Sequence, residues 1–388
     1  AYDRDLVDIF AVQAEIAQAI TGELAEELGI LEVSVQAPTE NLESYQAFLS
    51  GRQKFYSRGD NLDEAIAELD RAVQLDPDFA DAWAVLGAAL HVAPGYPTAL
   101  STEELAKRRV QAVERALALD PDHRLALAVS GNEMIHAYDW RNGIERLRRA
   151  AALPGQGTTP SLWLGMQLYL AGYVRESLPI LEDVWQRNPM AAINTGNLGM
   201  VYLALGRIDE ARSLLDFATA NGHPIGLPLL AGYSIDRGDL QSGRAFVQQL
   251  LTYNEETNDA TANAFVELFF DSLQAGGVSE PLRKVLESSH PLQQVQAYAA
   301  FNDLDSAFQA WHDYLDSMQE ATPTGGFNVL LRPVWLPWSA NVREHPEFFE
   351  VADRLGLVEL WENRGYPPGC MRIEDSEAPR LACPEFPK

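Results

Sequence analysis

Small and apolar residues recur every 34 positions in the middle of this chain. Leu164, Gly165, Leu168, Gly172, Ser177, Leu181 and Val184 return as Leu198, Gly199, Tyr202, Gly206, Ala211, Leu215 and Ala218. A period of that length holds two short helices and two turns. The small residues let the two helices of a pair approach closely. Each pair then keeps an apolar face that only the next pair can cover, so the pattern demands a stacked array rather than one compact globule.

Thirty-four residues is the tetratricopeptide period. The expected fold is all-α: a right-handed superhelical solenoid of tetratricopeptide repeats (TPR) with an irregular C-terminal cap. In the first repeat, Phe48, Gly51 and Phe55 face Ala65, Leu69 and Ala72; Gly59 turns the chain, Asn61 caps the second helix and Pro77 ends it. The second opens at Trp83, Leu86, Gly87 and Leu90, carries a turn swollen by HVAPGYPTALST, and continues through Val113 and Ala116 to Pro121. The third is weaker, with Leu127, Gly131, Met134, Leu147 and Ala150 around a Tyr138-Asp139-Trp140 turn. The sixth keeps Leu230, Gly238, Gly243 and Val247. Beyond Thr252 the register drifts, with helices expected near 258–274, 279–288 and 291–301, and one more degenerate hairpin around Ala307, Phe308, Trp311 and Tyr314. Upstream, Ile9, Val12, Ile16, Ile20 and Leu24 fall on one helical face, and Pro38 breaks the linker that follows. Three regions result: an amphipathic helix and linker over 1–40, the repeat array over 41–320, and a capping segment over 321–388 that is rich in Pro, Gly and Trp.

The chain carries 56 acidic and 29 basic residues, a net charge of −27. A phosphate backbone needs a positive footprint, so no nucleic-acid partner is expected. The surplus serves either a basic partner or simply a solvated outer face. No apolar run reaches the 18 or so residues that span a bilayer, so this segment inserts in no membrane. The chain opens at Ala1 without Met or a signal peptide, as a processed or truncated N-terminus would. Cys370 and Cys383 are the only cysteines. They are either a disulfide worth roughly 3 kcal/mol, which implies an oxidising compartment, or two free thiols in a tail. The lack of any other Cys in the helical part favours the disulfide.

Several stretches resemble a bacterial family of membrane-bound multidomain regulators. YDRDLVDIFAVQAEIAQAI is similar to the segment that follows a TolB-like domain in those proteins. FLSGRQKFYSRGDNLDEAIAELDRAVQLDPDFADAWA and EHPEFFEVADRLGLVELWENRGYPPGC are similar to their repeats and closing part. Family members join an adenylate-cyclase-like or winged-helix domain, a membrane helix and a TolB-like domain to repeats of this type. None of those other parts is in this sequence, so neither cyclase nor DNA-binding activity carries over. The resemblance implies an extracytoplasmic, periplasmic repeat region of a membrane-anchored protein.

Signals of catalysis are missing from the pattern. The seven histidines are scattered without a His-Glu-x-x-His spacing, two Cys without nearby His do not make a zinc site, and GQGTTP lacks the Lys-Ser/Thr of a phosphate loop. No metal, no cofactor and no enzymatic activity are expected. A protein or peptide partner is expected in the concave groove, where the first helices of repeats three to five point Asn132, His136, Trp163, Met166, Tyr169, Asn197 and Met200. Asn197 is suited to a peptide backbone, the methionines to varied apolar side chains, and Trp163 and Tyr169 to anchoring contacts. Each has a structural alternative, as core or as a plain helix residue. A second class of function, a small-molecule sensor regulating a missing cyclase or DNA-binding domain, is separated from the first by the groove: enclosed for a sensor, open for a peptide.

Overall fold

The structure is a computed structural model that describes residues 39–57, 61–96, 98–155, 157–253, 260–319, 327–374 and 379–386. The expected N-terminal helix, Pro38 and the Gly59 turn lie outside the described residues. The chain divides into two compact units, Ala1–Val129 and Ser130–Lys388. The closing segment from 327 onward therefore shares a unit with the hairpins that follow Ser130.

The first unit holds α1 (Leu42–Ser57), α2 (Leu62–Leu75), α3 (Ala80–Val92), α4 (Thr102–Leu119) and the start of α5 (Arg124–His136). Its hairpins close where the glycines predicted. A Cβ on Gly51 would lie 2.7 Å from Leu69 Cγ, and one on Gly87 would lie 2.9 Å from Val113 Cγ2. Helix ends are set by Asp-Pro-Asp turns. The backbone N–H of Asp78 donates to Asp76 Oδ1 at 3.1 Å, and that of Asp122 to Asp120 Oδ1 at 3.0 Å. Such Asx turns satisfy backbone donors that the helix cannot use. Asn61 does not cap α2 with its side chain; its backbone already has φ −83° and ψ 0°, in the helical region, where an N-cap geometry is lost. The swollen turn is tied back by Asp63, which accepts the Thr98 hydroxyl at 2.7 Å and the Ala99 N–H at 2.9 Å.

The second unit continues with α6 (Trp140–Ala152), α7 (Thr159–Leu170), α8 (Val174–Arg187), α9 (Ala192–Ala204), α10 (Ile208–Ala220), α11 (Gly226–Asp236), α12 (Leu240–Tyr253), α13 (Ala260–Ala275), α14 (Glu280–Glu287), α15 (Pro291–Ala300) and α16 (Leu304–Gln319). The 34-residue repeat is geometric as well as chemical. A Cβ on Gly165 would meet Leu181 Cγ at 2.7 Å, and one on Gly199 would meet Leu215 Cγ at 2.9 Å. The first helix of each pair ends in the left-handed region at Tyr138 (φ 66°), Gly172 (φ 91°) and Gly206 (φ 75°). The next N–H then bonds back over the turn: Tyr173 to Leu168 O at 2.8 Å, and Arg207 to Tyr202 O at 2.9 Å. That is the Schellman closure of a helix C-terminus. Ala307, Phe308, Trp311 and Tyr314 are all buried on α16.

The closing segment consists of α17 (Phe327–Val334), a short 3-10 turn (Pro337–Ser339), α18 (Ala340–Glu344), α19 (Pro346–Arg354) and α20 (Leu357–Arg364), followed by β1 (Met371–Glu374) and β2 (Pro379–Ala382). The strands pair antiparallel, Met371 opposite Ala382. A disulfide joins Cys370 and Cys383 just outside them. Phe386 lies beyond the bridge, 5.7 Å from the Trp335 ring.

Candidate functional site

The first helices of repeats three to five, α5, α7 and α9, carry the residues expected to line an open groove. The structure corrects that expectation for most of them. Asn132, Trp163, Tyr169, Asn197 and Met200 are each no more than 5% exposed. Only His136 and Met166 are half-exposed. Asn132 accepts the Gln167 side-chain N–H at 3.0 Å, a bond between neighbouring first helices. Asn197 donates to Ile193 O at 2.8 Å in its own helix, while its Oδ1 has no partner among the described residues. His136 Nδ1 lies 3.9 Å from Glu133 Oε1, one turn away. Tyr169 is fully buried, and that burial pushes its phenol well up from the ordinary range.

At the C-terminal end of α7 this face is covered by the chain's own closing segment. The last carbonyls of a helix have no partner within it and must be satisfied from outside. Those of α7 are reached by two indoles: Trp335 Nε1 donates to Leu170 O at 2.8 Å and Trp361 Nε1 to Ala171 O at 2.9 Å. The exchange is reciprocal. Trp140 Nε1 donates to Leu355 O, just past α19, at 2.7 Å, and the Tyr173 hydroxyl to Gly365 O, just past α20, at 2.7 Å. The Tyr169 hydroxyl donates to Arg332 O at 2.7 Å in α17. A Cβ on Gly172 would lie 2.7 Å from both Trp335 and Pro367, so glycine is needed there twice over, for its φ and for the approach. Arg343, fully buried, donates to Val334 O and Leu336 O at 2.8 Å each and lies 4.6 Å above the Phe386 ring. Burial pushes its guanidinium down to about 10. At the rim, Arg364 and Arg148 both grip Glu176, the former at 2.6 Å.

A recess of about 180 Å³ opens farther along the same unit, at the turn end of α10, α11 and α12. Tyr233, Phe246 and Ser242 are among the residues that line it. Arg212 sits with Cζ 5.9 Å from the Phe246 ring centre, and Arg237 with Cζ 5.6 Å from that of Tyr233. The half-buried Trp338 ring lies 5.7 Å from that of Tyr233. The 34-residue pattern does not mark this recess: of its lining only Leu230 is a repeat position, and Arg212, Arg237 and Asp239 are exposed residues that the repeat does not constrain. The covering segment was half-legible: its tryptophans stand out in RPVWLPW, but their targets are backbone carbonyls, which carry no sequence signal.

Residues 53–91 match the TPR repeat. The hairpin geometry extends that assignment over α1 to α12, and the chain folds as an all-α TPR array. No curated protein matches the chain. Among solved structures it is similar to YrrB, described as a TPR protein with an unusual peptide-binding site, at 21% identity over 53% of this chain and 95% of that one, TM-score 0.29. It is similar to PilF of Pseudomonas aeruginosa at 18% identity over 57% and 99%, TM-score 0.38. It is also similar to the human IFIT1 dimer with m7Gppp-AAAA at 13% identity over 92% and 80%, TM-score 0.47.

Proposed function

We propose that the chain is a non-catalytic protein- or peptide-binding scaffold, the extracytoplasmic repeat region of a larger envelope protein. The observation that carries this reading is the chain's treatment of its own closing segment. TPR hairpins take up a Trp- and Pro-rich stretch by enclosing its aromatic rings and exchanging hydrogen bonds at helix ends. The same chemistry suits a segment supplied by another protein. The Cys370–Cys383 bond fits an oxidising compartment. The net charge of −27 disfavours a phosphate-backbone partner. A recess of about 180 Å³ is smaller than the roughly 300–1,000 Å³ typical of small-molecule sites, which favours a side chain of a larger partner over a free metabolite.

Peptide display against the full chain tests this, with hydrogen exchange of the complexes to locate the contact. Enriched peptides should protect amides of the second unit. A display that enriches no peptide of any kind, beside a metabolite that raises the melting temperature, would return the small-molecule sensor reading instead.

A further inference from the structure

The recess between α10, α11 and α12 has two arginines, Arg212 and Arg237, against one carboxylate, Asp239, in its lining, on a strongly acidic chain. Several arginines elsewhere in the second unit are committed to carboxylates: Arg207 to Glu210 at 2.9 Å, Arg354 to Asp316 at 2.5 Å, Arg364 to Glu176 at 2.6 Å. Arg237 makes no ion pair among the described residues, and Arg212 reaches Asp216 only at 3.9 Å. Both lie over aromatic rings that line the recess. The carboxylate in the lining, Asp239, accepts the Ser242 N–H at 3.0 Å, and the Ser242 hydroxyl and N–H hold it below its usual range, so it is oriented toward Ser242 rather than paired with either arginine. The recess therefore offers two guanidinium forks, each lying over an aromatic ring, against the single carboxylate of Asp239 in its lining.

We propose that this recess docks an acidic peptide segment: one aromatic side chain enters between Tyr233 and Phe246, and the carboxylates on either side of it reach Arg212 and Arg237. The assignment rests on the scaffold reading and names the chemistry of one partner. Size selects the occupant, since about 180 Å³ admits one side chain and not a cofactor. Guanidinium forks match carboxylates in bidentate geometry, and an aromatic ring brings contact area at small ordering cost. The chain's overall charge of −27 opposes the approach of such a peptide at long range. Salt screens that repulsion within about 10 Å at 0.1 M but weakens a contact pair less, so association should quicken as salt is raised.

The test uses the full chain and three fluorescent probes: acetylated Glu-Asp-Phe-Glu-Asp, the same peptide with Ala for Phe, and an oligouridylate. The Phe peptide should bind, and the Ala peptide about tenfold more weakly. Arg237→Glu and Arg212→Glu should each weaken the Phe peptide about tenfold or more. Arg187→Glu, the same charge change on α8 outside the recess, should leave it within about twofold. Both recess arginines are exposed, so circular dichroism should match the parent chain. Equal losses in Arg237→Glu and Arg187→Glu, or no binding of the Phe peptide, overturn the proposal. Tighter binding of the oligouridylate, lost in Arg237→Glu, gives the recess to a phosphate backbone and overturns it too. If the Phe peptide fails while display enriches peptides of another kind, the docking assignment falls and the scaffold reading stands.

Discussion

Gly172 and Gly206 occupy the same repeat position with the same left-handed backbone, φ 91° and 75°. Their surroundings differ. A Cβ on Gly206 would meet nothing within 4 Å, whereas one on Gly172 would strike Trp335 and Pro367 at 2.7 Å. The pair separates backbone strain from packing. Gly206→Ala should cost about 1 kcal/mol, the penalty of a left-handed L-residue. Gly172→Ala should add overpacking of roughly 1–3 kcal/mol. Urea unfolding of both variants checks this; equal losses would mean that the closing segment does not press on Gly172. Tyr138 holds the equivalent position one period earlier, a non-glycine at φ 66° whose carbonyl oxygen would be 2.2 Å from a Cβ on Gly356. There the close-approach glycine sits on the partner segment instead.

At the scale of elements, α7 and the closing segment hold one another by their ends. Trp335→Phe keeps an aromatic ring but removes the indole N–H and part of the ring's volume, leaving the buried Leu170 carbonyl without its donor beside a small cavity. The expected loss is roughly 1–3 kcal/mol, the cost of an unsatisfied buried acceptor. A smaller effect for Trp335→Phe than for an exposed control such as Tyr56→Phe would contradict the bond. The rim adds a charge-dependent clasp between α6, α8 and α20. Burial alone would raise the Glu176 carboxyl, but hydrogen bonds and charge from Arg364 and Arg148 outweigh it and leave Glu176 below the ordinary carboxylate range. A depressed carboxylate contributes stability that is present above its unfolded value, about 4.3, and is lost as pH falls through the lower folded value. Glu176 is partly exposed, so the contribution should be no more than about 1 kcal/mol. Acid titration of the melting temperature should show a limb below about pH 4.3 that shrinks in Glu176→Gln.

Across the second unit, the closing segment is held at one end by the α17 contacts, and at the other its tail is closed on itself by the Cys370–Cys383 bridge. Reduction should destabilise the tail by roughly 3 kcal/mol through loop entropy. Because repeats lean mainly on their neighbours, the loss should stay local. Tryptophan emission should shift red as Trp335 and Trp361 lose their cover, while helix content over α9 to α12 holds; a chain that melts as one unit on reduction would contradict this. The 34-residue spacing alone determined the helical pairs, their glycine contacts and the turns at Gly172 and Gly206, because close packing within a pair is a local requirement written in side-chain size. Helices near 258–274, 279–288 and 291–301 were legible for the same reason, and the structure has them at Ala260–Ala275, Glu280–Glu287 and Pro291–Ala300. What covers the inner face was not legible. Trp163, Tyr169, Asn197 and Met200 have the composition of an exposed binding surface and of a core alike. Their burial in the fold decides between the two, and at Tyr169 and the end of α7 the cover comes from a segment more than 160 residues later in the chain. The recess at Arg212 and Arg237 belongs with that second kind of fact. Its charges become a site only because three helices that share no sequence signal for it meet there, and proximity across a fold is a property of packing rather than of spacing along the chain.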